Sequence, residues 1–86
     1  MNVNVETNRP QYTRKQGQYL SFIYYYTKIH GIPPSHAEIQ RYFRVTPPTV
    51  HQMILRLEQL GFLQRVPNQA RSLRLLLPRE ELPDLE

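Results

Sequence analysis

Cysteine is absent from these 86 residues, which excludes a disulfide framework, a thiolate zinc site and a thiol nucleophile. Glycine occurs only three times, never in the clustered spacing of a phosphate-cradling loop. No apolar run approaches the ~20 residues that a membrane-spanning helix needs, and the polar opening MNVNVETNRP is not a secretory signal. These absences fit a cytoplasmic protein. Acidic residues are scarce over most of the chain: of seven in all, Glu80, Glu81, Asp84 and Glu86 fall within the last seven positions. Residues 1–79 therefore set eleven Lys/Arg against three Asp/Glu, a local balance of +8 inside an overall +4. A basic body with a short acidic tail points to a polyanionic partner. General solubility is the bland alternative.

The length suits one small domain. Residues 1–12 lack periodicity and read as a loose arm. TRKQ then forms a capping box, with Thr13 as N-cap and Gln16 reaching back. The helix it opens runs to about His30, with Gly31 as its stop and Pro33-Pro34 beyond. Leu20, Ile23 and Thr27, joined by Tyr19 and Tyr26, share one stripe and should face the core. Gly17 costs this helix roughly 1 kcal/mol against alanine, so its first turn should be loose. Of the run Tyr24-Tyr25-Tyr26, Tyr25 is expected to be exposed. A second capping box, SHAE, opens a short helix from Ser35 to about Phe43, with Ile39, Tyr42 and Phe43 on its buried face.

A tight turn at Arg44–Thr46 leads to TPPTVHQMILRLEQLG. Thr46 is a suitable N-cap, and proline is favoured where a helix has no use for an N–H. A residue before proline is pushed away from the helical region, so Pro47 belongs either to the turn or to the first helical position. Val50, Met53, Ile54, Leu57 and Leu60 form the inward stripe, and Gly61 is the stop. The opposite face carries Pro48, His51, Gln52, Leu55 and Gln59, flanked by Thr49 and Arg56. After Gly61 the period becomes alternating: FLQRV and SLRLLL read as two strands joined by the polar turn 67–71. Residues 78–86, acidic and broken by proline, are expected to be a mobile tail.

The resulting fold class is mainly α with a small β-hairpin, a winged helix-turn-helix of three helices plus a two-stranded antiparallel wing over residues 13–77. In that arrangement the helix after the tight turn enters the DNA major groove. Thr49, His51 and Gln52 stand on its early turns, where side chains reach base edges, and glutamine pairs bidentately with adenine. Arg41, Arg44, Arg56, Arg71 and Arg74 lie around it and along the hairpin, placed for phosphates. Double-stranded DNA is the expected partner. No cofactor is expected, and His36 and Glu38, two apart on different helix faces, make a poor metal site. No nucleophile–base pairing supports catalysis.

The landmarks YTRKQ, HGIPPSHAEIQ, TPP, LEQLGFLQ and RSLRLLL resemble the N-terminal DNA-binding domain of the LexA repressor family over roughly residues 12–77. GIPPSHAEI is the most specific of them, close to a family signature. TPPTVHQMILRLEQLGFL is shared in style with MarR-like and DtxR-like winged repressors. The resemblance implies transcriptional regulation, in the family's case within the SOS response, with operator contacts at Thr46, Pro48, Thr49, His51 and Gln52. Where the family pattern runs Ser-Pro-Asn-Ala-x-Glu-Glu, this chain has Thr-Pro-Pro-Thr-Val-His-Gln, which implies the same docking mode on a different operator. The family's serine–lysine self-cleaving peptidase has no counterpart here. Ser21, Ser35, Ser72, Lys15 and Lys28 all fall in helical or wing regions, and the acidic tail resembles the hinge before that domain. The resemblance also implies pairing as a homodimer on paired half-sites. A winged helix used for protein interaction, through Leu55, Tyr25 and Pro48, is the rival reading. A fragment of a MarR- or DtxR-like regulator is a second one.

Overall fold

The computed structural model describes residues 11–86. Three helices come first: α1 (Arg14–His30), α2 (His36–Phe43) and α3 (Pro47–Gln59). Two short antiparallel strands follow, β1 (Leu63–Gln64) and β2 (Arg74–Leu75), with Leu63 opposite Leu75 and Gln64 opposite Arg74. A single 3-10 turn spans Arg79–Glu81. This is the mainly α winged helix-turn-helix that the sequence predicts. Among the described residues, no helix is long and apolar enough to cross a membrane.

Both capping boxes form. Thr13 accepts from the Gln16 backbone while the Gln16 side chain accepts from Thr13, and Ser35 and Glu38 repeat the exchange. Gly31 and Gly61 take left-handed φ values of 77° and 82° and end α1 and α3, where a Cβ would be strained. Arg44, without that freedom, makes the left-handed turn between α2 and α3 at φ 56°. Both prolines are helical, at the first two positions of α3. Thr46 is extended ahead of them, but its hydroxyl meets the Thr49 hydroxyl at 2.9 Å instead of capping a backbone N–H.

The core gathers one face of every element. Tyr19, Leu20 and Ile23 of α1 meet Ile39 of α2, Val50, Ile54 and Leu57 of α3, and Phe62, Leu63 and Leu73 of the wing. Tyr19 stacks on Phe43 at 4.2 Å between ring centres. Tyr26 and Thr27 are only half-buried; the Thr27 hydroxyl donates to the Ile23 carbonyl one turn back. Tyr42, expected inside, is exposed and lies flat against Phe22 at 4.4 Å, because Phe43 already fills the space beside Tyr19. Tyr25, expected outside, is half-buried beneath the Arg79 guanidinium.

Two expectations fail at the ends of the fold. Tyr12, read as part of a loose arm, packs edge-on against Phe62, and its hydroxyl donates to the Glu81 carbonyl; positions 1–10 of that arm lie outside the described residues. The tail read as mobile is ordered along α1. Leu82 is buried in the core, and the Ser21 hydroxyl donates to the Pro83 carbonyl at 2.6 Å. The buried Gln18 amide grips the tail from both sides, donating to the Asp84 carbonyl and accepting from the Glu86 N–H. The tail's attachment rests largely on backbone carbonyl and N–H groups and on one buried leucine, which composition does not register.

Gly17 explains the route. An added Cβ there would stand 2.7 Å from Cε1 of Tyr12 and 3.0 Å from Cγ of Pro83. The glycine, buried in the first turn of α1, is where Tyr12 and the tail cross the helix.

Candidate nucleic-acid interface

The exposed surface of α3 begins at its N-terminus. Thr46, Pro47, Pro48, Thr49, His51, Gln52 and Arg56 are all exposed, while Val50, Ile54 and Leu57 on the reverse face are buried. The side chains assigned to base edges thus share one continuous strip, held by a helix whose other face is locked into the core. Leu55, expected to face outward, is half-buried.

The prolines change the chemistry of this end. An α-helix ordinarily offers unpaired N–H groups in its first turn, the usual grip on an anion. Here two of those positions are proline, and Val50 already donates to the Thr46 carbonyl at 3.2 Å. Thr49 holds the only free backbone donor of that turn. The polar groups offered at this end of α3 are therefore mainly side chains, on a first turn stiffened by fixed φ angles.

The wing is held beside this strip by a cluster that sequence reasoning missed. Arg71, expected on phosphate, makes a bidentate ion pair with Glu38, Nη1 to Oε1 at 2.8 Å and Nη2 to Oε2 at 2.9 Å. The same Nη1 reaches the Pro33 carbonyl at 3.2 Å and the Tyr26 hydroxyl at 3.3 Å. Glu38 also closes the capping box on Ser35. One ion pair therefore ties four segments together: its carboxylate holds the start of α2, and its guanidinium, carried by the wing, reaches the loop before α2 and the end of α1. The Arg71 guanidinium first, and then the Ser35 N–H, hold the Glu38 carboxyl well below the usual carboxylate range. The signal in the sequence was Glu38 itself, in the most family-specific stretch, but its partner lies 33 residues away.

The strands are shorter than FLQRV and SLRLLL suggest. Pro67 cannot donate to a ladder, and Asn68 and Arg71 turn left-handed at φ 63° and 54°. The Ser72 hydroxyl takes over the pairing there: it accepts from the Val66 N–H at 2.9 Å and lies 3.1 Å from the Val66 carbonyl. At the other end Leu76 donates to the Phe62 carbonyl at 2.9 Å, continuing the register.

Between the N-terminus of α2, the early turns of α3 and the wing lies a cleft of about 300 Å³. Ser35, His36, His51, Arg65, Asn68 and Arg71 are among its lining residues. The His36 and His51 rings are 6.4 Å apart. Packing on one side, then the proximity of His51 and Arg65, push the His36 imidazolium below the ordinary histidine value.

The other basic residues divide. Arg41 on α2 and Arg44 in the turn are exposed beside α3. Arg65 is paired with Glu58 at 3.1 Å. Arg74 is exposed but borders a groove with Tyr24, Thr27 and Lys28 of α1, on the side of the wing away from the histidine cleft.

A family model described as the LexA DNA binding domain matches residues 10–72. That span takes in all three helices and the wing through Ser72, including the SHAE box, the turn and the exposed strip of α3. A helix-turn-helix with a basic surface, a wing clamped beside its third helix and this match lead to one assignment: the chain belongs to the LexA DNA-binding domain family, as a DNA-binding domain of a LexA-like regulator.

Proposed function

We propose that this domain binds double-stranded DNA sequence-specifically, with α3 in the major groove and the wing against the backbone. The observation that carries the reading is the exposed strip at the start of α3 beside a clamped wing. Thr46, Pro48, Thr49, His51 and Gln52 face the base edges in this arrangement, and Gln52 has the two-sided amide that pairs with adenine. Arg41, Arg44 and Arg56 meet phosphates around the strip. Arg71 acts on the backbone contact through the wing position it secures, and Arg74 serves a phosphate only where the duplex curves toward the α1 side. Two domains on paired half-sites would give each monomer one half of a two-fold operator. The setting is bacterial or phage transcription in the cytoplasm, with no catalysis by these residues.

The protein-interaction reading loses support from the same geometry. Of its three proposed anchors, Leu55 and Tyr25 are half-buried, and Pro48 alone is exposed.

Fluorescence anisotropy with a labelled random-sequence duplex across a salt series tests the proposal. Log affinity should fall with log salt at about −0.9 per phosphate contacted. Absence of binding at low salt, for the single domain and for a tethered pair alike, would overturn it.

A further inference from the structure

We propose that the cleft between α2, α3 and the wing seats a DNA backbone phosphate, and that His36 and His51 bind it by taking up a proton as the duplex docks. The proposal rests on the DNA-binding reading above and adds a pH-responsive anion seat to it.

Three elements bring donors to one place. His36 is the first residue of α2, and His51, which lines the cleft and is here assigned to the backbone instead of a base edge, stands on the second turn of α3; Arg65, Asn68 and Arg71 come from the wing. Among the described residues, each acid packed against this region is already matched. Glu38 of α2 is held by Arg71, and Glu58 of α3 by Arg65. The first turns of α3 contribute no acid. The described fixed charges around the cleft therefore cancel pair by pair, and they leave no unmatched carboxylate either to hold the imidazoles charged or to repel an anion. The two imidazoles are the adjustable charge.

In the free protein their proximity opposes double protonation, since a like charge disfavours the second. The lowered His36 value has burial as its first cause and the neighbouring His51 as its second. An anion in the cleft reverses the balance: a negative group within about 4–6 Å favours the protonated imidazole, and both rings then become donors on each nitrogen. The prolines make the seat more important, because they remove two amide donors with which α3 would otherwise hold a phosphate. His30, the remaining histidine, lies at the far end of α1 against Tyr26 and does not line the cleft.

The test is anisotropy with a labelled random-sequence duplex at fixed ionic strength, from about pH 5 to about pH 8. Affinity should tighten as pH falls, by up to about tenfold per pH unit for each proton taken up. H36Q and H51Q should each flatten that slope, and H30Q should keep it. In the unsubstituted protein, nitrogen-detected imidazole titrations should show the His36 and His51 midpoints rising when duplex is added. Binding with no pH slope, a slope that survives in the H36Q/H51Q double variant, or unmoved imidazole midpoints would overturn the seat while leaving DNA binding intact. No binding at any pH would overturn both readings.

Discussion

Glu38 closes the capping box of α2 and receives both guanidinium nitrogens of Arg71. Its carboxyl is depressed in the folded state, so it contributes stability above its unfolded value of 4.5, and that contribution is lost as pH falls below it. Urea unfolding followed over the acid range should show the loss. Glu38→Gln separates the two contacts, since glutamine can still complete a capping box but carries no charge for Arg71. E38Q should unfold at lower urea than the parent near neutral pH and lose part of its acid dependence, whereas an unchanged pH profile would remove Glu38 from this role. At the exposed strip, Gln52→Ala should weaken binding to a selected operator by about 1–3 kcal/mol. Its effect on a random duplex should be small, and competition titrations compare the two.

At the scale of the element, α1 is less a plain helix than a track for the tail. Gly17→Ala improves helix propensity by about 1 kcal/mol, yet its Cβ would meet Tyr12 at 2.7 Å and Pro83 at 3.0 Å. Tyr12 cannot swing away freely, because it is packed on Phe62 and bonded to the Glu81 carbonyl. Overpacking of this kind costs about 1–3 kcal/mol, so the net change in thermal melting should be destabilising, with faster amide exchange over residues 82–86. A raised melting temperature would mean that the tail yields easily. Leu82→Ala approaches the same contact from the other side, and a buried leucine lost from the core costs about 2–5 kcal/mol.

Across the whole molecule, the wing is fixed beside the helices by two ion pairs, Arg71 to Glu38 of α2 and Arg65 to Glu58 of α3, over a shared core. Arg71→Ala should reduce DNA affinity for every sequence tested, since the wing loses its tie to α2 and with it a fixed place beside α3. A loss confined to one operator would instead make Arg71 a direct reader. The basic body and acidic tail act at this scale too. The tail's Glu86 pairs with Arg14 at 2.8 Å, on the N-terminal part of α1 and away from the histidine cleft.

Local chemistry was sufficient for the helices: two capping boxes, glycine stops and stripes of apolar residues each act over a few neighbours, and each produced the element expected of it. The exposed strip of α3 was legible for the same reason, since a helix that buries Val50, Ile54 and Leu57 must turn Thr49 and Gln52 outward. The tertiary structure decided what depended on partners distant in sequence. It paired Arg71 with Glu38, brought His36 to His51, and laid the tail over Gly17. Side-chain periodicity reports which face of an element is buried, but not which distant group it meets. Those meetings set the wing, the cleft and the fastened tail, and they follow only from the packed chain.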